Sequence, residues 1–142
     1  MEVRKSNHSV YRLQYHVVFV TKYRLKLFNP GLRDHLRREL RRQAGEIPGV
    51  EIQEINVQKE HAHMMIVIPP KYAISDVVGR LKASTASMFC KRYKLFNKVY
   101  KEKGIMWSPG FFVSAVGIGE DVIKRYIEYQ GNLDSGQMKF DL

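Results

Sequence analysis

Two histidines, His61 and His63, stand two residues apart in the segment HAHMMIV. The segment has the composition of a β-strand, and side chains alternate across a strand, so both imidazoles should leave the same face of a sheet. Their Cα atoms would then lie about 6.5–7 Å apart, which lets two ring nitrogens converge on one cation. Two histidines alone are an incomplete metal site, and the same pattern fits two unconnected polar residues.

A tyrosine and a glutamine in the last helix-like segment offer further groups for such a site. Tyr126 and Gln130 are four residues apart, a spacing that stacks two side chains on one helical face. Ile123 and Ile127 form the neighbouring apolar stripe that would hold the helix against the core. Taken alone, the pair also fits a half-buried tyrosine beside a surface glutamine. Glu128 could ligate a metal too, but at about 100° per residue it faces elsewhere.

A phenol, two imidazoles and an amide oxygen together fit a metal-assisted phosphoryl transfer from DNA to tyrosine. The phenol is a weak nucleophile while it is protonated, with a pKa of about 10. A divalent cation on the scissile phosphate would neutralise charge and stabilise the departing 3′-oxygen. Two imidazoles and an amide oxygen suit Mg²⁺ or Mn²⁺ with waters completing the shell. The product would be a 5′-phosphotyrosine and a free 3′-hydroxyl, and the retained ester would allow rejoining without ATP.

The rest of the sequence predicts the elements that hold these groups. Asn29 before Pro30 predicts a helix N-terminus, and a change of alternation between Ile52 and Ile55 predicts a β-bulge. The basic stretch 94–104 is interpreted as a loop and 117–119 as a glycine hinge. The predicted order is strand 11–21, helix 30–44, strand 50–59, strand 61–69, helix 74–93, strand 111–116 and helix 120–132. This β-α-β-β-α-β order plus a C-terminal helix predicts an α+β, ferredoxin-like (RRM-like) antiparallel sheet with both helices on one face.

Length and composition exclude several classes of protein. With 142 residues the chain fits one domain over 1–142, with a core at about 10–117, and its 44% hydrophobic content excludes intrinsic disorder. A single cysteine, Cys90, excludes a disulfide framework or a Cys-based zinc module and favours a cytoplasmic protein. The apolar runs are strand-sized, too short to span a membrane, and the first residues show no secretory signal.

The formal net charge of +10 indicates a polyanionic partner. Residues 22–42 contain eight basic and two acidic residues, and residues 71–103 contain nine basic and two acidic residues. Both blocks fall mainly on predicted helices, whose solvated faces would also explain the pattern. The candidate phosphate contacts on these helices include Arg33, Arg37, Arg41, Arg80, Lys82, Lys91 and Arg92.

Four segments in this order carry a resemblance to a known family: YHVVFVTKYRLKLF, HAHMMIVIPPKY, MWSPGFFVSAVG and VIKRYIEYQ. Together they resemble the TnpA-type single-tyrosine transposases of the HUH superfamily, the IS200-like insertion-sequence transposases, over nearly the whole chain. HUH means His-hydrophobic-His, and Ala62 is the hydrophobic member.

The resemblance implies a role for each residue of the site. His61, His63 and Gln130 would be ligands of Mg²⁺ (or Mn²⁺), and Tyr126 would be the nucleophile. The protein would be a metal-dependent DNA transposase that cleaves and rejoins single-stranded DNA at insertion-element ends and recognises subterminal hairpins. It would act as a homodimer in which the tyrosine helix can complete the active site of the partner subunit.

Several alternatives stay open at this stage. Tyr129 is a rival nucleophile in the same helix, and Tyr15 or Tyr23 could be stacking platforms for bases. His16, within an apolar strand, is interpreted as a core histidine and not as a ligand. A non-catalytic single-stranded nucleic-acid-binding module would have the same fold. A host-adapted HUH endonuclease, or a replication initiator or relaxase, would share the chemistry.

Overall fold

A computed structural model of the chain describes residues 4–5, 10–11, 13–100, 105–115 and 118–136. Besides a short 3₁₀ turn at Lys22–Arg24, the elements in these ranges are β1 (Arg4–Lys5), β2 (Val10–Tyr11), β3 (Gln14–Val20), α1 (Pro30–Gly45), β4 (Glu51–Val57), β5 (His61–Val67), α2 (Ile74–Arg92), α3 (Lys94–Val99), β6 (Phe112–Ser114) and α4 (Glu120–Asp134). No helix of the described part is both long enough and apolar enough to cross a membrane.

The central sheet has four antiparallel strands in the order β4-β5-β3-β6. This order is the ferredoxin-like arrangement that the sequence predicts, and β4 and β5 form the expected hairpin. The predicted bulge is confirmed as a register shift between Ile52 and Glu54. β1 and β2 pair in a separate two-stranded sheet that the sequence did not predict.

The alternation along β5 divides the sheet into two faces. Ala62, Met64 and Ile66 belong to a continuous core to which α1 contributes Leu36 and α2 contributes Leu81. Both helices therefore cover one face, as predicted. The intervening side chains of β5 leave the opposite face, which we call the histidine face. Helix α4 covers part of the histidine face, because the Tyr126 ring on α4 packs 5.8 Å, centroid to centroid, from the Phe112 ring on β6.

Local sequence signals explain where the elements begin. Asn29 caps α1 as expected, since its Oδ1 accepts the backbone N–H of Leu32 at 2.9 Å. Helix α4 begins with Glu120 and Asp121 in its first turn, where the helix dipole favours acidic residues. Tertiary contacts then fix the packing of these helices on the sheet.

Two elements differ from the sequence prediction. The stretch predicted as a loop at 94–104 contains helix α3, because Phe96 is fully buried against the rings of Phe28 and Phe89. The first predicted strand is divided, with Tyr11 in β2 and β3 beginning at Gln14. Gly117 of the predicted hinge lies outside the described residues, whereas Gly119 is the N-cap of α4, so the hinge stays a prediction.

Candidate active site

The two histidines leave the same face of the sheet, as the strand alternation predicts. His61 pairs with Val20 and His63 with Val18 across the β3–β5 ladder. Both imidazoles are partly buried and line a cleft of about 770 Å³ between the histidine face and α4. We call this cavity the histidine cleft.

His61 is held by the acidic residue that precedes it. Its Nδ1 lies 2.7 Å from Oε1 of Glu60. An ionised carboxylate can only accept a hydrogen bond, so the Nδ1–H group of His61 donates a hydrogen bond to Glu60. In the neutral form of the ring, this hydrogen bond leaves Nε2 unprotonated. This pattern of a carboxylate on one ring nitrogen and a free lone pair on the other is typical of histidines that bind metal ions.

His63 is held by a third histidine. Its Nε2 lies 3.3 Å from Nδ1 of His16 on β3. Burial is the main cause that lowers the pKa of His63, and the neighbouring His16 and His61 lower it further. His63 is therefore neutral near pH 7, which is the form that can ligate a cation. The interpretation of His16 as a core histidine is wrong, because it lies on the histidine face beside His63.

Helix α4 presents a different side to the histidine cleft than the sequence predicted. The α4 residues that line the cleft are Glu120, Ile123, Lys124, Ile127 and Glu128. Tyr126 and Gln130 do not line it: Tyr126 packs against Phe112 of β6, and Gln130 is only 6% exposed. The conformation therefore brings His61 and His63 together but does not add Tyr126 and Gln130 to them.

The rotation of α4 accounts for this difference. Ile127 is turned towards the sheet. The next residue along the helix, Glu128, lies about 100° further round the axis and therefore faces the histidine cleft. The preceding residue, Tyr126, lies about 100° round the axis in the other direction and therefore faces β6. The expectation that Glu128 faces away from the metal site is accordingly wrong for this conformation, since Glu128 lines the cleft that holds His61 and His63.

The end of α4 is fixed by a carboxylate. Oδ2 of Asp134 accepts the backbone N–H of Tyr23 at 2.9 Å and also the hydroxyl of Ser108. Tyr23 and Arg24 both have left-handed backbones, with φ of 62° and 55°. Gly131 packs against Arg24 so closely that an added Cβ would lie 3.2 Å from the Arg24 Cβ. These contacts hold α4 with Tyr126 on the flank next to β6.

The environment of Tyr126 disfavours its phenolate. Burial raises the pKa of Tyr126 to about 12, and the negative charge of Asp134 and the neighbouring Tyr129 act in the same direction. In this conformation the hydroxyl is therefore protonated at neutral pH. A reaction of the tyrosine oxygen would need a change in its surroundings or a base that accepts the proton.

This raised pKa predicts a pH dependence of stability. Between about pH 10 and 12 the unfolded chain ionises this tyrosine while the folded chain does not, so the free energy of unfolding falls as the pH rises. Denaturant unfolding at pH 8, 10 and 11 should show a smaller loss for Tyr126→Phe than for the wild type. Burial also raises the pKa of Tyr100, so Tyr100→Phe is a matched control that removes a separate contribution to the loss. Identical pH curves for Tyr126→Phe and the wild type would contradict the raised pKa.

The predicted phosphate contacts lie on the two helices that cover the opposite face of the sheet. Lys82 is engaged there: its Nζ donates to the carbonyl oxygens of Ser108 and Gly110 at 2.8 and 2.6 Å, and burial lowers its pKa to about 8. Nη1 of Arg41 donates to the carbonyl of Ile52 at 2.7 Å. The others keep exposed or half-buried side chains: Arg33, Arg37, Arg80, Lys91 and Arg92. Of these, Arg37 and Arg80 make surface ion pairs at 3.5 Å.

Three basic residues that the sequence prediction did not rank line the histidine cleft itself. They are Arg24, Lys26 and Lys124. Arg24 and Lys26 closely follow β3, so a signal was present: residues after a strand that borders the histidines lie at the same edge of the sheet. They bring three positive charges to a cleft that three carboxylates also line, Glu60, Glu120 and Glu128.

The side chains of the cleft fit a divalent cation in part. His61 and His63 offer ring nitrogens, and Asn56, Gln58 and Glu128 supply oxygen donors along the same cleft. No group of three or more His, Cys, Asp or Glu side chains that could hold a metal occurs within the described residues. The chain thus offers two nitrogen ligands and leaves other positions to water, to amide oxygens or to the phosphate of a substrate.

Comparison with known proteins relates the chain to transposases. The family model described as "Transposase IS200 like" matches residues 9–130. The transposase for insertion sequence element IS200 of Salmonella typhimurium is 31% identical over 123 residues, covering 87% of this chain and 80% of its own length. The ISDra2 transposase TnpA of Deinococcus radiodurans is 32% identical over 132 residues, covering 92% of each chain.

Solved structures show the same fold. A crystal structure of a protein from Deinococcus radiodurans R1, assigned as a transposase, has a TM-score of 0.77 at 28% identity and covers 89% of this chain and 97% of that one. A REP-associated tyrosine transposase bound to a REP hairpin has a TM-score of 0.50 at 18% identity over 94% of this chain and 76% of that one, a likeness of fold alone. From the match over residues 9–130 and the identity to curated transposases, the chain belongs to the IS200-like transposase family.

Proposed function

We propose that this transposase cleaves and rejoins single-stranded DNA at the ends of an insertion element through a covalent bond to Tyr126. The observation that carries the proposal is the pair of oriented imidazoles of His61 and His63 in a cleft that the tyrosine-bearing helix covers. Membership of the transposase family supplies the reaction class. The cleft supplies the place where a phosphodiester would sit.

In the proposed reaction the Tyr126 oxygen attacks the scissile phosphorus and loses its proton to a base or to water. The bond between phosphorus and the 3′-oxygen breaks, and that oxygen takes up a proton to become a free 3′-hydroxyl. The 5′-phosphate is then esterified to Tyr126. Attack by a 3′-hydroxyl on this ester reverses the step, so strands are rejoined without an external energy source.

We further propose that His61, His63 and Gln130 hold Mg²⁺ or Mn²⁺. The hydrogen bond from His61 to Glu60 and the lowered pKa of His63 support the two imidazoles as ligands. A bound divalent cation would polarise the scissile phosphate and stabilise charge on the departing oxygen. Gln130 is buried outside the cleft here, so its part depends on a different placement of α4.

The proposed active unit is a homodimer whose tyrosine helix completes the site of the partner subunit. Tyr126 and Gln130 share a flank of α4 that does not line the histidine cleft of their own chain. A helix from a second copy, or a repositioned α4, would be needed to bring them to His61 and His63. Gly119, the N-cap of α4, has no side chain that could cap the helix, which supports a joint at this point.

Two basic surfaces would hold the DNA. Arg24, Lys26 and Lys124, which line the histidine cleft, would contact the single strand near the cut. The basic residues of α1 and α2 with exposed or half-buried side chains, such as Arg33, Lys91 and Arg92, would contact phosphates of a hairpin stem. The fold is shared with a transposase bound to a REP hairpin, which supports a hairpin as the partner.

Salt dependence should separate the basic residues that bind DNA from those that stabilise the fold. A substitution that removes one phosphate contact should reduce the magnitude of the slope of log K against log salt concentration by about 0.7–0.9. We expect this change for Lys91→Gln, since Lys91 is exposed. Lys82→Gln is the matched control on the same helix, and it should lower the melting temperature without changing the slope, because its ammonium binds two carbonyls. Equal slope changes in both variants would contradict this assignment.

A covalent adduct assay tests the proposed reaction. Wild-type protein is incubated with Mg²⁺ and single-stranded oligonucleotides that cover the genomic flanks of the gene, and adducts are separated in SDS. We expect an adduct that needs a divalent cation and a free 3′-hydroxyl on the released strand. Binding of these oligonucleotides without any adduct would favour the alternative of a non-catalytic nucleic-acid-binding module.

A further inference from the structure

His16 on β3 brings a third imidazole to the histidine face, and the proposed reaction gives it no role. It pairs with Met65 across the β3–β5 ladder, two residues along each strand from the Val18–His63 pair. Its ring is therefore a diagonal neighbour of His63, at 5.5 Å between ring centroids. The two rings approach further through their nitrogens, with 3.3 Å between Nδ1 of His16 and Nε2 of His63.

This contact has only two arrangements when both rings are neutral, because one nitrogen must donate and the other accept. If His16 donates, the proton of His63 is left on Nδ1, and His63 has no lone pair for a cation. If His63 donates from Nε2, its Nδ1 is unprotonated and can ligate. Only the second arrangement is compatible with a metal at His63, and neutral imidazole can ligate through either nitrogen.

The placement of His63 favours the second arrangement. His63 forms part of the wall of the histidine cleft and also of a smaller pocket of about 160 Å³ that His16, Glu54 and Met65 line. Nε2 of His63 is the ring nitrogen turned to His16, at 3.3 Å from its Nδ1, so Nδ1 of His63 is the nitrogen that this contact leaves to a cation. His61 has a comparable arrangement, because its contact with Glu60 occupies one of its two ring nitrogens.

We propose that His16 is a positioning residue for His63, accepting its Nε2–H so that Nδ1 of His63 offers the lone pair to the cation. This inference rests on the proposed metal site of His61 and His63. His16 would act on the metal as outer partners of ligating histidines do, by fixing the tautomer and the orientation of the ring. It would not touch the cation or the substrate.

The tautomer of His63 can be measured directly in the metal-free protein. Two-bond ¹H–¹⁵N correlation spectra of ¹⁵N-histidine-labelled protein distinguish the Nδ1–H and Nε2–H forms. We expect the Nε2–H form of His63 in the wild type and in His16→Asn, whose Oδ1 can accept a hydrogen bond near the position of the imidazole Nδ1. His16→Phe should give a mixture of the two forms, while His61 keeps its Nδ1–H form. The Nδ1–H form of His63 in the wild type would overturn the proposal.

Calorimetric titration with Mn²⁺ provides the second readout. His16→Phe should bind Mn²⁺ about 10–100-fold more weakly than the wild type, as expected for removal of an outer partner, and His16→Asn should restore most of the affinity. Equal affinity of His16→Phe and the wild type, together with abolished binding in His61→Ala, would overturn the role of His16 alone. No Mn²⁺ binding by the wild type would overturn the metal site and this proposal with it. If His16→Phe does not fold, the His63 tautomer in the wild type and in His16→Asn still decides.

Discussion

Tyr126→Phe protein should form no covalent adduct with single-stranded element-end DNA, even with saturating Mg²⁺. The phenol oxygen is the only heavy atom that the substitution removes, and the remaining ring can still pack against Phe112. Removal of a covalent nucleophile lowers turnover by many orders of magnitude in enzymes where it has been measured, on the order of 10⁴ or more. DNA affinity should change by less than about fivefold, because one hydrogen bond contributes about 1 kcal/mol.

Tyr129→Phe is the matched control for this result. Tyr129 lies in the same helix, about 300° further round the helix axis. Its substitution also removes one phenol oxygen, but from a different position. Tyr129→Phe should form the adduct at close to the wild-type rate. The reverse result, an adduct in Tyr126→Phe and none in Tyr129→Phe, would move the nucleophile to Tyr129. In either case peptide mapping of the wild-type adduct identifies the esterified tyrosine independently.

The order of the elements could be predicted because its signals are local. The cap at Asn29 and the bulge after Ile52 each depend on a few neighbouring residues, and both are present in the structure. Helix α3 could not be predicted in this way. Its six residues are too few for a stable helix alone, and the burial of Phe96 against distant rings holds it in place.

The position of His16 shows why a strand buried on both sides gives a weaker signal. Val17 and Phe19 face the core, whereas Val18 and Val20 face α4, and all four are fully buried. The strand therefore reads as a continuous apolar run, and alternation cannot assign a face. His16, Val18 and Val20 are alternate residues of β3 and therefore lie on one face of the strand. That this face is the histidine face becomes clear only when the pairing of β3 with β5 is known.

The rotation of α4 depends on contacts that the helix sequence does not contain. The spacing of Tyr126 and Gln130 correctly places them on adjoining parts of one side of the helix. Which side faces His61 and His63 is decided by Phe112 on β6 and by the hydrogen bonds that Asp134 accepts from residues outside the helix. These partners are distant in sequence, so the helical pattern alone could not show which residues of α4 would line the histidine cleft.

Mixing two inactive variants should restore cleavage if the tyrosine helix serves the partner subunit. His63→Ala should lower metal-dependent adduct formation by more than about 100-fold, since even outer partners of a metal ligand contribute 10–100-fold. Tyr126→Phe removes the nucleophile. In a heterodimer of the two, one composite site would combine intact His61 and His63 from the Tyr126→Phe subunit with intact Tyr126 from the His63→Ala subunit. Activity should return, with the DNA attached only to the His63→Ala subunit.

The complementary mixture gives the opposite result and completes the test. A heterodimer of wild type and the double variant His63→Ala, Tyr126→Phe has one defect in each composite site, so it should form no adduct if the helices are exchanged. If each helix serves its own chain, this heterodimer keeps one intact site, and the first mixture stays inactive. The heterodimers are purified through two different affinity tags, and subunits of different size show which chain carries the DNA. Tyr126 lies beside β6, away from the histidine cleft of its own chain, and for this reason we expect the exchanged arrangement.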